Sequence, residues 1–211
     1  MFYKIIIIDY GLGNIRSAQK SIQATLKKNN FNGTVEISSD KKKLSDATHI
    51  ILPGQGSFEH CINGLKSLDG MVDELNLYVI KKRTPLLGIC VGMQLLANNS
   101  YENGNHLGLG WINAEINKIP NEEIILPHMG WNEIFLSKDH PIADGLNNKH
   151  FYFVHSYYFN SNEENSVVAT TNYGVKFPVI VAKNNIIGCQ FHPEKSSDDG
   201  LKILTNFLKM K

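Results

Sequence analysis

The sequence predicts an α/β fold: an open, mostly parallel central sheet with flanking helices, and additional antiparallel strands in its second half. Three observations carry this. Short β-branched runs alternate with helix-periodic stretches as far as Asn98. From Leu107 to Gln190 the helical signal fades, and short strands separated by Gly, Asn and Pro take over. A final amphipathic stretch closes the chain.

Lys4 to Asp9 is a β-branched run ended by a Gly-containing turn, and reads as a buried strand. Asn14 to Lys28 carries apolar residues at Ile15, Ala18, Ile22 and Leu26, which is helical spacing, with Asn14 in the N-cap position. Thr34–Ser38 and His49–Leu52, the latter ending at Pro53-Gly54, read as strands. Phe58–Leu68 and Met71–Lys82 read as helices. Pro85–Ile89 is a fourth buried strand, and Met93–Asn98 begins another helix. Beyond Leu107 the expected strands are Trp131–Phe135, Phe151–Tyr158, Val167–Thr171, Val179–Ala182 and Ile186–Phe191. Asp198–Lys209 closes as a helix. No linker, repeat or low-complexity segment interrupts the chain, so one domain over residues 1–211 is expected.

Lys plus Arg number 21 and Asp plus Glu 20, a balance that leaves no electrostatic footprint for nucleic acid or an anionic membrane. No apolar run approaches a membrane span or the core of a signal peptide. Three cysteines at unrelated spacings make neither a disulfide framework nor a metal pattern, which implies a reducing cytoplasm and no metal or cofactor.

The sharpest local feature is Gly88-Ile89-Cys90-Val91-Gly92, G-x-C-x-G between a buried strand and a helical stretch. This is the cysteine form of a nucleophile elbow. Glycine on both sides removes side chains that would clash in a strained strand-to-helix turn. The turn presents the sulfur at the carboxyl end of the sheet, where open α/β folds bind ligands. A helix start just after it favours the thiolate, and the Val91 N–H is a donor for a developing oxyanion. Cys61 and Cys189 lack this setting and read as buried structural thiols. A thiol nucleophile needs a base and a group to orient it. His192 and Glu194 flank a proline directly after a strand, so the carboxylate can fold back onto one imidazole nitrogen. His60, His106, His140 and His150 belong to no constellation and read as surface or loop residues. Gly11 and Gly13 lack the third glycine of a dinucleotide-binding turn. Trp131, with Met129 and His128, reads on its own as a packed core cluster, as an aromatic in a strand usually is.

Gly88–Gln94 together with Gln190–Glu194 resembles the class I, or triad, glutamine amidotransferases. Ile8–Asn14, Pro53–Phe58, Pro127–Asn132, Phe153–Tyr157 and His192–Ser196 extend the resemblance, in family order, to one subunit type. That type is a glutaminase that forms a heterodimer with a synthase (cyclase) subunit of (β/α)8-barrel type and feeds it ammonia. The resemblance implies L-glutamine as substrate, with Cys90 as nucleophile, His192 as base and Glu194 as its orienting carboxylate. It places Gly54, Gln55, Gly56 and Val91 at the oxyanion. Gln94, Glu102, His155, Ser156 and Tyr157 fall around the glutamine, and Asn14, Trp131, Tyr152 and Lys195 fall against the partner. It further implies a glutaminase kept idle until the partner docks, when a backbone flip at Gly54–Gly56 completes the oxyanion hole. Gln55 departs from the small aliphatic residue usual in the family. Related subunits feed ammonia to sugar amidotransferases of surface-polysaccharide synthesis, which is the alternative partner. A non-enzymatic scaffold would have lost the nucleophile, the base or the oxyanion glycines, and all are present.

Overall fold

The computed structural model describes residues 1–120 and 124–211. The chain begins β1 (Tyr3–Ile8), α1 (Ile15–Lys28), β2 (Gly33–Ser38), β3 (His49–Gly54), α2 (Phe58–Ser67), α3 (Met71–Leu75), β4 (Leu86–Cys90) and α4 (Val91–Gln94). There follow β5 (Asn99–Ser100), β6 (His106–Leu107), β7 (Ala114–Lys118), β8 (His128–Glu133), β9 (Phe135–Leu136), β10 (His150–His155) and β11 (Tyr157–Ser161). The chain ends with β12 (Val167–Tyr173), β13 (Val175–Lys183), β14 (Ile186–Cys189) and α5 (Ser197–Leu208).

The central sheet has eight strands in the order β2-β1-β3-β4-β14-β13-β12-β9. The pairs from β2 to β14 are parallel and the remaining three antiparallel, as the two halves of the sequence predict. The isoleucines of β1, Ile50 to Leu52 of β3, and Leu86 and Leu87 of β4 are fully buried, because helices cover both faces of a parallel sheet. The strand order reverses between β1 and β3, so the ligand crevice is expected at the carboxyl ends of β1, β3 and β4. Among the described residues no helix is long and apolar enough to cross a membrane.

The antiparallel strands of the second half divide: β13, β12 and β9 extend the central sheet, whereas β11-β7-β5-β6 and β10-β8 form two small sheets of their own. Several element expectations need correction. Phe151–Tyr158 is two strands, β10 and β11, which break at Ser156 and join different sheets. Likewise Trp131–Phe135 is split between β8 and β9. The helix expected over Met93–Asn98 is one turn, Val91–Gln94. The carbonyls that another turn would need are already taken: Leu95 accepts from Leu109, Leu96 from Trp111 and Ile112, and Ala97 from Gly110. Met71–Lys82 is helical throughout, but widens to π winding over Asn76–Lys81. Asn14 caps α1 with its carbonyl only, which accepts from Ser17 and Ala18; its side chain makes no capping bond and is exposed.

Candidate active site

Cys90 stands at the junction of β4 and α4 with φ 55° and ψ −115°, a strained conformation for a residue with a side chain. The elbow holds because its neighbours lack side chains. A Cβ on Gly92 would lie 1.9 Å from the Leu52 carbonyl oxygen, and one on Gly88 2.5 Å from the Gly92 oxygen. Gly54, paired with Cys90 across β3 and β4, would put a Cβ 2.4 Å from the Gly92 nitrogen. Gly54 is therefore a packing glycine behind the elbow. Gly56, one turn on, has φ +96° and open space around it, so it is glycine for its conformation.

The β14 end carries the second half of the site. His192 is 4% exposed and its Nδ1 pairs with Glu194 Oε1 at 2.8 Å. The turn between them is pinned to β10: the His192 N–H donates to the Tyr152 carbonyl, the Tyr152 N–H to Ser196 Oγ, and Ser196 Oγ to the His192 carbonyl. The His192 Nε2 is buried and makes no aligned hydrogen bond. Burial works against a charged ring there, but the nearby Cys90 sulfur and the Glu194 carboxylate outweigh it and raise His192 to about 10.

These elements enclose a cavity of about 310 Å³ lined by Gln55, Gly56, Cys90, Val91, Gln94, Glu102, Pro127, Val154, His155, Ser156, Tyr157 and His192. That volume suits a small polar metabolite. A larger hollow of about 890 Å³ near the C-terminus, between Asp139–Gly145 and Lys209–Lys211, includes none of the candidate residues. The smaller cavity holds the nucleophile and base, so it is the candidate active site. Every residue expected around substrate or oxyanion lines it except Gly54.

Two of them also hold the structure. Glu102 Oε2 accepts the Phe58 N–H at 2.7 Å, which ties the start of α2 to the pocket. Gln94 Nε2 donates to the Tyr157 carbonyl at 3.1 Å and to Gln190 Oε1 at 3.0 Å, so Oε1 is the atom Gln94 offers to the cavity. Behind the Pro53–Gly56 segment, the Tyr10 hydroxyl donates to the Pro53 carbonyl and the Cys61 thiol to the Gln55 carbonyl at 3.5 Å. Burial pushes the Cys61 thiol up to about 11, so it remains a donor at neutral pH.

Sequence reasoning missed a buried histidine pair. Tyr157's carbonyl can only accept, so His155 Nδ1 donates to it at 2.8 Å and His155 Nε2 must accept. His128 Nδ1 therefore donates to His155 Nε2 at 3.0 Å, and its Nε2 accepts from Asn132 Nδ2 at 3.2 Å. Both rings are neutral, and His128 is stacked between Phe153 and Tyr173. The pairing of His128 with His155 across β8 and β10 depends on tertiary register and leaves no local signal.

Of the four residues assigned to a partner surface, three cluster. Trp131 and Tyr152 face each other across β8 and β10 in a T-shaped contact at 6.3 Å, and Lys195 Nζ lies 5.5 Å from the Tyr152 ring. Trp131 is 53% exposed and Met129 64%, so these two do not pack in the core, whereas His128 beside them is buried. Asn14 is exposed at the start of α1.

Comparison with known proteins gives the family. The family model "Glutamine amidotransferase class-I" matches residues 6–210. The chain belongs to that family. Within it, the chain is 44% identical to the imidazole glycerol phosphate synthase subunit HisH of Pelagibacter ubique, over 98% of this chain and 99% of the relative. The subunits of the same name from Brucella suis and Rhodospirillum rubrum are 40% and 38% identical, with 98–99% of each chain covered. A crystal structure of a glutamine amidotransferase superposes with a TM-score of 0.72 at 21% identity, covering 96% of this chain and 98% of the other. One from Thermotoga maritima gives 0.63 at 18% identity over 93% and 78%. These two structures speak for the fold.

Proposed function

We propose that this chain is the glutaminase subunit of an imidazole glycerol phosphate synthase in histidine biosynthesis. It acts as a single domain in the cytoplasm, where it hydrolyses L-glutamine and passes the ammonia to a (β/α)8-barrel cyclase subunit. The observation that carries the reading is the convergence of Cys90, His192 and Glu102 on one small cavity, in a chain that matches synthase subunits end to end.

Glutamine enters with its ammonium toward Glu102 and Gln94 Oε1 and its side-chain amide toward Cys90. The thiol proton passes to His192, whose Nδ1 the Glu194 carboxylate holds, and the sulfur attacks as a thiolate beside an imidazolium. The C–S bond forms as the carbonyl electron pair moves onto oxygen, which the Val91 N–H and the Gln55–Gly56 peptide stabilise. His192 then gives its proton to the departing nitrogen, the C–N bond breaks, and ammonia leaves behind a glutamyl thioester. Water attacks the thioester, His192 takes its proton, and the C–S bond breaks to release glutamate and restore the thiolate. The exposed Trp131–Tyr152–Lys195 cluster is where the cyclase subunit docks. Tyr152 lies one hydrogen bond from the His192 backbone, so docking acts directly on the base.

The test is glutamate release by the chain with and without a cyclase subunit. The expected result is release that rises when the partner is present and is abolished by Cys90→Ala. A Cys90→Ala complex that still releases glutamate overturns the assignment.

A further inference from the structure

Gln190 directly follows β14, two residues before His192, and is fully buried. Its side-chain Nε2 donates to the Cys90 sulfur at 3.8 Å, while its Oε1 accepts from Gln94 Nε2 at 3.0 Å. Which way this amide faces is not arbitrary. The Tyr157 carbonyl only accepts, so Gln94 must turn its NH2 group toward it. The second N–H of that group then points at Gln190, which must answer with its oxygen, and the Gln190 NH2 is left facing the sulfur. Tyr157's carbonyl is itself held by His155, His155 by His128, and His128 by Asn132 on β8.

A buried amide donor requires an acceptor. A neutral thiol is a poor one; a thiolate is a strong one, because the bond is then charge-assisted. We propose that Gln190 is a catalytic residue of the glutaminase site, its N–H stabilising the Cys90 thiolate, with Gln94 acting as the positioning residue that fixes the amide's orientation. This rests on the glutaminase reading above for its catalytic meaning, while the sulfur contact stands on geometry alone. Gln94 then has two roles. Its Oε1 meets substrate in the cavity, and its Nε2 sets the donor on the nucleophile, so substrate contact and nucleophile are joined through one side chain.

Two substitutions separate this from a merely structural role. Gln190→Met fills the space without a donor. Gln190→Glu keeps an oxygen for Gln94 but turns a second oxygen, with charge, toward the sulfur. In complex with the cyclase subunit, we measure kcat and KM for glutamate release, and the rate at which iodoacetamide alkylates Cys90, read by mass spectrometry; Cys61 and Cys189 are fully buried. The expected result is a fall of about 10- to 100-fold in both kcat and alkylation for Gln190→Met, the range for losing one hydrogen bond to a charged group. KM stays within about twofold, because Gln94 keeps its bond to Tyr157. Gln190→Glu falls further in both. A Gln190→Met complex at wild-type rates, or Gln190→Glu at least as fast as Gln190→Met, overturns the proposal. If neither variant folds, Gln94→Glu decides: it offers Gln190 only acceptors, turns the Gln190 N–H away from the sulfur, and slows alkylation about tenfold or more. Wild-type alkylation there overturns the proposal. Absence of glutamate release from the wild-type complex overturns the glutaminase reading instead, and the order of alkylation rates still decides the role of Gln190.

Discussion

Mild acid should weaken this fold well before its carboxylates titrate. His49 is fully buried, His128 is 3% exposed and His155 7%. Burial pulls His49 and His128 down to about 4 and His155 to about 3, the last despite its bond to the Tyr157 carbonyl. In the unfolded chain each titrates near 6.5. Their stabilisation is therefore complete above that value and is lost as the pH falls from about 6.5 toward 4, because the unfolded chain takes up protons that the native rings do not. One unit below 6.5, each ring accounts for about 1.4 kcal/mol, so the three together remove about 4 kcal/mol at pH 5.5. That is a large share of the roughly 5–15 kcal/mol that stabilises an ordinary domain. His192 has the opposite sign. Its value is raised, so its contribution is complete only below about 6.5 and is lost progressively as the pH rises from there through about 10; between pH 7 and pH 5.5 it offsets about 0.8 kcal/mol of the loss. Urea unfolding at pH 7 and pH 5.5, at one ionic strength, measures the effect. The net loss between the two pH values is about 3 kcal/mol, so the expected midpoint falls by about 1.5 M, taking a denaturant slope near 2 kcal/mol/M. His128→Asn keeps a donor toward His155 and should remove about a third of the fall. A change below about 1 kcal/mol between the two conditions refutes the idea that three neutral rings are buried here.

Two glycines of the site should fail differently. Gly92→Ala drives a methyl into the Leu52 carbonyl, backbone against backbone, and should cost about 3 kcal/mol or more in thermal unfolding. Gly56→Ala meets no atom and costs only the left-handed conformation, about 1–2 kcal/mol, yet should lower kcat for glutamate release more than it lowers stability. Equal losses of stability in the two variants contradict this distinction. Trp131→Ala should leave thermal unfolding within about 0.5 kcal/mol, because the ring is largely exposed. It should weaken cyclase binding by about 2 kcal/mol, roughly 30-fold by titration calorimetry, and wild-type affinity would place the docking surface elsewhere.

The local chemistry of this protein was legible in its sequence. The β-branched runs of β1 and β3, the flanking glycines of Cys90 and the His192–Glu194 spacing each act over a few residues. Backbone sterics and strand propensity dictate their outcome without reference to the rest of the chain. The parallel half of the sheet followed, because alternating strands and helices admit few arrangements. Tertiary structure decided what distant residues do to one another. The elbow helix stops after one turn, and residues 109–112 return to take the carbonyls of Leu95, Leu96 and Ala97 just beyond it. Phe151–Tyr158 reads as one strand, but its two halves find different partners, and the break at Ser156 puts His155, Ser156 and Tyr157 at the cavity. Gln190 reads as one polar residue in an apolar run until β14, just before it, lies beside β4 and brings its amide to a sulfur 100 positions earlier. Hydrogen bonds between such residues depend on register and on closure of the sheet, and no local pattern encodes them.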